Sequence, residues 1–131
     1  MTILPNQSGT FMDYPYANLG NSFQTYYSSN PTQQPIITIT EDGHKITEMV
    51  TKVYASNSKN KNAVKNFKLS ATVVANLEGQ NIIYSDIYPS LDIKYSQNNM
   101  GRNFDLIIRD RSFIEQIPSQ FQKLMIEETV T

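Results

Sequence analysis

The sequence predicts a mainly β protein: a small antiparallel sandwich or open barrel with an extended N-terminal arm and a short C-terminal amphipathic helix. Three observations predict it. Leu91, Ile93 and Tyr95 alternate with Asp92, Lys94 and Ser96, and Phe104, Leu106 and Ile108 alternate with Asp105, Ile107 and Arg109, about an Asn98-Asn99-Met100-Gly101 turn. Such period-2 runs about a turn make an antiparallel hairpin with one buried face. Further β-branched segments recur at short spacing from Ile36 onward, as small sandwiches require. Composition also changes abruptly near Pro35, separating an arm, residues 1–35, from a single β-rich domain, residues 36–131.

The arm holds one charged side chain, Asp13, four of the six prolines and six of the fourteen aromatic residues. Pro5, Pro15, Pro31 and Pro35 interrupt any helix or central strand. Phe11, Tyr14, Tyr16, Phe23, Tyr26 and Tyr27 follow no helical or strand period. Tyrosine-rich, uncharged surface suits interfaces, because each ring brings contact area and a hydroxyl. These six are the candidate partner-binding residues. On that reading a chain lacking residues 2–30 keeps a folded body and loses only its assembly.

In the body, Ile36–Thr40 is β-branched throughout and is followed by Asp42-Gly43, which suits a type I′ hairpin turn. Residues 45–56 fit two patterns. Ile46, Met49, Val50 and Val53 have helical spacing, with Glu48 and Lys52 four apart; the Ile, Val and Thr content and the preceding turn favour a strand. Phe67–Ala75 and Asn81–Tyr88 read as further strands about the turn Asn76–Gln80. Ser112 with Glu115 has the form of a capping box, and Ile114, Ile117, Phe121, Leu124 and Met125 fall near one helical face. An amphipathic helix over about residues 112–127, split at Pro118, is therefore expected.

Composition bounds the chemistry. The chain has 131 residues, no cysteine, no tryptophan, one histidine and a net charge of −1. The length suits one hydrophobic core. Without cysteine there is no disulfide framework, thiolate metal site or cysteine nucleophile. Asn, Gln, Ser and Thr number 45 of the 131 residues, against 18% charged: the chain is polar without being charged. The start, Met1–Asn6, has no basic region leading into an apolar stretch, so no secretory signal is expected, and no apolar run is long enough for a transmembrane helix. No membrane partner is expected. Near-zero charge also argues against nucleic acid as a partner of the whole surface.

Candidate chemistry is sparse. His44 stands at the expected hairpin turn without an evident nucleophile or orienting partner. Asp86, Asp92, Asp105 and Asp110 lie on or beside strands and read as surface carboxylates. No glycine pattern makes a phosphate cradle, and no acid cluster makes a calcium loop. Catalytic, cofactor and metal sites are therefore not expected. Five lysines, Lys52, Lys59, Lys61, Lys65 and Lys68, stand between Glu48 and Glu78 with no acid among them. Lys59, Lys61 and Lys65 read as a solvated loop or, alternatively, as an electrostatic contact for an acidic partner. Arg102, Arg109 and Arg111 beside Asp105 and Asp110 read as local ion pairs.

In overall plan, an aromatic arm on a compact β-rich body, the chain resembles small structural proteins of tailed-phage particles, such as head decoration, connector or tail proteins. Ser85-Asp86-Ile87, with Asp105–Asp110 followed by Ile114, is similar to the opening of baseplate wedge proteins of contractile tails; no residue role is carried over. The resemblance implies a virion component, made in the host cytoplasm, whose partners are several copies of other protein subunits and which needs no cofactor. The alternative is a soluble β-sandwich adaptor that binds a peptide or nucleic acid through an edge strand or the lysine loop.

Overall fold

The computed structural model describes residues 3–20, 22–57, 64–98, 101–119, 121 and 123–131. In chain order the strands are β1 (Leu4–Pro5), β2 (Tyr16–Asn18), β3 (Gln24–Tyr27), β4 (Ile36–Ile39), β5 (Lys45–Ser56), β6 (Val64–Phe67), β7 (Val74–Glu78), β8 (Asn81–Tyr88), β9 (Leu91–Asn98) and β10 (Gly101–Ile108). A one-and-a-half-turn helix α1 (Arg111–Glu115) and strand β11 (Lys123–Val130) follow. The strands build two antiparallel sheets facing each other in a sandwich-like arrangement, as the alternating pattern predicts. One runs β1-β2-β3-β4-β5-β11 with β6 also on β5, and the other runs β10-β9-β8-β7.

The long strand β5 organises the larger sheet. Along one edge β4 pairs with Lys45–Glu48 and β6 with Val53–Ser56. Between them the Val50 amide donates to the Pro31 carbonyl at 2.9 Å, so the loop after β3 takes the place of a ladder bond. Along the other edge lies β11, whose register slips between Glu127, opposite Lys52, and Glu128, opposite Val50. Thr51 is thus the extra residue of a bulge. Val50 and Val53, three apart, consequently both reach the core. Residues 45–56 are strand, the reading their β-branched content favours.

The first 35 residues are not an extended arm. β1, β2 and β3 pair in turn with one another and with β4; Pro5 is tolerated in the edge strand β1, and Pro15, Pro31 and Pro35 fall in the connections. Tyr27 and Ile36 face the smaller sheet, in a core with Ile3, Val53, Phe67, Tyr84, Ile93, Tyr95 and Phe113. Ala17, Tyr26 and Ile37 face the opposite way and are covered by Tyr14 and Phe11 from the loop between β1 and β2. The Asn6 side-chain amide holds that loop closed, lying 2.9–3.1 Å from the carbonyls of Thr10, Phe11 and Tyr14.

Three further expectations are corrected: the C-terminal helix with its cap, the β4–β5 turn and the strand through residues 68–73. The helix expected over residues 112–127 is limited to α1, and 123–127 belong to β11. Its N-cap is Asp110, whose carboxylate accepts from the Ser112 amide at 3.0 Å, rather than Ser112. Pro118 ends the helical course, after which Leu124 and Ile126 turn toward the core and Met125 away from it, which is a period of two. The β4–β5 turn spans Thr40–His44, and of Asp42 and Gly43 only Gly43 has positive φ. It is a longer turn than type I′, which needs positive φ at both residues. Residues 68–73, expected within a strand, lie between β6 and β7.

Polar bonds tie the sheets together. The buried Tyr84 hydroxyl donates to the Ser28 carbonyl at 2.7 Å, and Tyr95 donates to Glu128 Oε1 at 2.8 Å. Gln97 Nε2 donates to Thr25 Oγ1 at 2.9 Å. Burial pushes the Tyr84 pKa well above the ordinary tyrosine value; burial first, and the Glu128 charge second, do the same for Tyr95.

Two predictions follow from this packing. Deleting residues 1–30 removes three strands and the fully buried Ile3 and Tyr27, so the remainder should lose its β circular dichroism rather than persist as a folded body. Tyr27→Ala alone should cost about 3–5 kcal/mol in chemical denaturation. The second concerns pH. An unfolded tyrosine ionises near pH 10, whereas Tyr84 and Tyr95 in the fold hold their protons to higher pH. Their contribution to stability is therefore intact below about pH 10 and falls as pH rises above it. Part of the tyrosinate absorbance should appear together with the loss of β structure, and complete ionisation of a still-folded protein would contradict it.

Candidate functional site

The six aromatic residues expected to meet partners are covered, wholly or partly, by the chain itself. Tyr14, Tyr26 and Tyr27 are buried, and Phe11, Tyr16 and Phe23 are half-buried. Phe11 stacks on Tyr26 with ring centroids 4.7 Å apart. Tyr14 donates its hydroxyl to the Pro35 carbonyl at 2.7 Å, and Tyr16 reaches the Ala75 carbonyl of the other sheet at 3.5 Å. The apolar surface this end leaves to solvent is instead Leu4, Leu19 and the 86% exposed Met12.

Of the lysines expected in a contact loop, Lys59 and Lys61 lie outside the described residues. Lys65 is in β6, with Nζ 5.8 Å from the Phe67 ring centroid. Nearby, the outer face of β6, β5 and β11 forms an open groove lined by Lys52, Tyr54, Asn66, Lys123, Met125 and Glu127 among others. This arises from strand register: Tyr54 stands between Asn66 and Met125, and Lys52 stands opposite Glu127.

His44 is exposed, with Nδ1 2.9 Å from the Asp42 carboxylate. The Thr40 hydroxyl first, and His44 second, hold the Asp42 carboxyl below its usual range. Among the described residues no group of three His, Asp or Glu side chains could hold a metal ion.

Asp92, read from alternation as a surface carboxylate, is buried at 4% exposure. Tyr84 and Tyr88 flank a second bulge, in which Asp86 has a φ of +57°, and the bulge brings the Asp86 amide to Asp92 Oδ1 at 2.9 Å. Arg109, just past the end of β10, bonds Asp92 through Nε at 2.9 Å and Asp86 through its terminal nitrogen. The Ser85-Asp86-Ile87 and Asp105–Asp110 segments are thus clasped together at this point, with Arg109 paired to these two acids. The bulge also explains why Ile87 is buried three residues after Tyr84.

A row of partly exposed apolar side chains lies on β10, an edge strand of the smaller sheet, as β11 is of the larger. β7 sits against the β1–β2 end of the larger sheet, through Tyr16 to Ala75 and the Ile3 amide to the Gln80 carbonyl at 3.3 Å. β9 reaches β11 through Tyr95 and Glu128 and β3 through Gln97 and Thr25, and β10 is the edge strand beside β9. Phe104, Leu106 and Ile108 pair with the buried Tyr95, Ile93 and Leu91 and so share their inward face. Yet Phe104 is 41% and Ile108 39% exposed. Ile114 of α1 is also exposed, and half-buried Leu124 and Ile126 lie on the inward side of β11. Among the described residues no strand pairs with the outer edge of either β10 or β11.

Charge at the clasp gives a direct test. Arg109→Ala leaves a buried carboxylate without its cation and should cost roughly 1–3 kcal/mol, since Arg109 itself is half exposed. Adding Asp92→Asn should recover part of that loss, and strict additivity in a double-mutant cycle would contradict the pairing.

Against this geometry, no family model, no curated protein and no solved structure matches the chain.

Proposed function

We propose that this chain is a non-enzymatic structural component of a large multi-subunit particle, of the kind that tailed-phage virions use as head decoration, connector or tail and baseplate proteins. One observation supports this above the others: the β10–β11 flank, where two open sheet edges border a row of incompletely covered apolar side chains, Phe104, Leu106 and Ile108. Open edges and exposed apolar rows are costly on an isolated domain and useful where another chain covers them. A surface rich in Asn, Gln, Ser and Thr and nearly neutral in net charge fits repeated contacts between like subunits. Each contact can be weak, because a particle repeats it many times.

The role once given to an arm passes, on this reading, to the sheet edges. The aromatic rings of residues 1–35 build the body, and the exposed Leu4, Met12 and Leu19 offer a second contact at the opposite end. The β-sandwich adaptor remains the second reading, favoured by the same open edges, which accept an extended peptide by strand addition. Its electrostatic version depends on Lys59, Lys61 and Lys65.

Fractionation of particles from the source distinguishes these readings. The full chain should sediment with assemblies far heavier than its own 14.9 kDa, resistant to added salt. Phe104→Asp with Ile108→Asp should release it while leaving its melting transition in place. Recovery of the wild-type chain only as a free small species refutes the structural role, and release by moderate salt that Lys59, Lys61 and Lys65 substitutions reproduce favours the adaptor.

A further inference from the structure

We propose that two copies of this chain pair antiparallel along the outer edge of β11, with Met125 facing Met125 of the second copy and Lys123 facing its Glu127. The inference rests on reading the β10–β11 flank as a protein-contact surface, and it names the partner.

The edge is suited to pairing. β11 is eight residues long, contains no proline and has no described strand on its outer side. Proteins that keep such edges free normally shorten them or interrupt them with proline or charge in mid-strand. Here the regular part of the ladder is Lys123–Glu127, ended by the slip at Glu127/Glu128. Lys123 and Glu127 stand at the two ends of that part, with the apolar Met125, 38% exposed, at its centre, and Glu128 follows beyond the slip.

The charge pattern selects the register. Backbone groups of an edge strand point outward at every second residue, so a twofold antiparallel pair joins residues of like parity and its axis passes through one residue. An axis at Met125 sets Lys123 opposite Glu127 twice and Leu124 opposite Ile126. An axis at Glu127 sets two glutamates face to face. Axes at Leu124 or Ile126 set Met125 against Lys123 or Glu127 and leave the charges uncompensated. Like charges directly opposite are unfavourable and unlike ones favourable, so Met125 is the centre.

Burial supports the same arrangement. Leu124 and Ile126 are half-buried and face inward. The second copy's Leu124 and Ile126 would continue that apolar surface beneath the row of Phe104, Leu106 and Ile108. On the outer face, the groove holding Lys52, Tyr54, Lys123, Met125 and Glu127 would join its twofold mate. The two seven-stranded sheets would then form one continuous sheet, with the β11 edge removed from solvent.

The test uses the purified full-length chain. Sedimentation should show a reversible monomer–dimer equilibrium, with a dissociation constant on the order of micromolar for so small an interface. Lys123→Glu should weaken it roughly tenfold by turning two attractive pairs repulsive. Adding Glu127→Lys should restore it, because the exchanged charges again face each other, and melting of each variant separates this effect from lost folding. As the chain has no cysteine, Met125→Cys supplies a unique thiol. It should oxidise to a covalent dimer, whereas Thr129→Cys, off the axis, should not. A monomer at concentrations on the order of 100 μM, a double variant weaker than the single, or preferential cross-linking through Thr129→Cys would each overturn the pairing. A purified dimer that never enters a particle sinks the structural role and leaves the pairing intact; particle incorporation of a chain that fails these tests does the reverse.

Discussion

Buried tyrosine hydroxyls set the alignment of the two sheets. A hydroxyl taken out of water without a partner costs more than its ring gains at the margin, so Tyr84 and Tyr95 must meet an acceptor wherever the sheets pack. Tyr84 meets the Ser28 carbonyl and Tyr95 meets Glu128. Those acceptors lie far apart in sequence, one just after β3 and one on β11, both strands of the larger sheet. An aliphatic core of equal volume could slide by a residue at small cost, whereas this one has few positions in which the Tyr84 and Tyr95 hydroxyls both meet an acceptor. Ser28 therefore makes the N-terminal third part of the core's specification, not an appendage to it.

The hairpin of β9 and β10 was legible because nothing interrupts its period of two: Leu91, Ile93 and Tyr95 are all buried. β5 was ambiguous for a definite reason. The bulge at Thr51 shifts the inward face by one residue, so Val50 and Val53 imitate the spacing of a helix. The C-terminal segment misled in the opposite sense. Leu124, Met125 and Ile126 are consecutive apolar residues, which a helix can share between neighbouring faces, and only pairing with β5 assigns Met125 outward. The N-terminal segment was misread because its strands are two to four residues long, too short for a period to register between prolines.

The flank was not legible at all. Phe104 and Ile108 have the pattern of core residues, and their exposure belongs to the edge position of β10 and to how far the other sheet covers it, a fact of packing between distant segments. Asp92 shows the converse. Its alternation marks it as polar and outward, but the bulge at Asp86 folds a backbone amide and Arg109 over it. In both cases local pattern gave the face and the neighbouring strand's geometry gave the accessibility.

The position of β11 beside β5 carries one more consequence. Thr47 and Thr131 exchange backbone bonds across 84 positions of chain, so β5, the longest strand of the larger sheet, is completed by the most distant segment available to it. Such long-range closure slows folding. Until it occurs, β5 offers a bare template on which the β11 of another molecule competes with its own, the latter favoured by its higher effective concentration. Strand exchange between molecules is thus the misassembly this topology exposes, and only at concentrations high enough to rival the tether between β5 and β11.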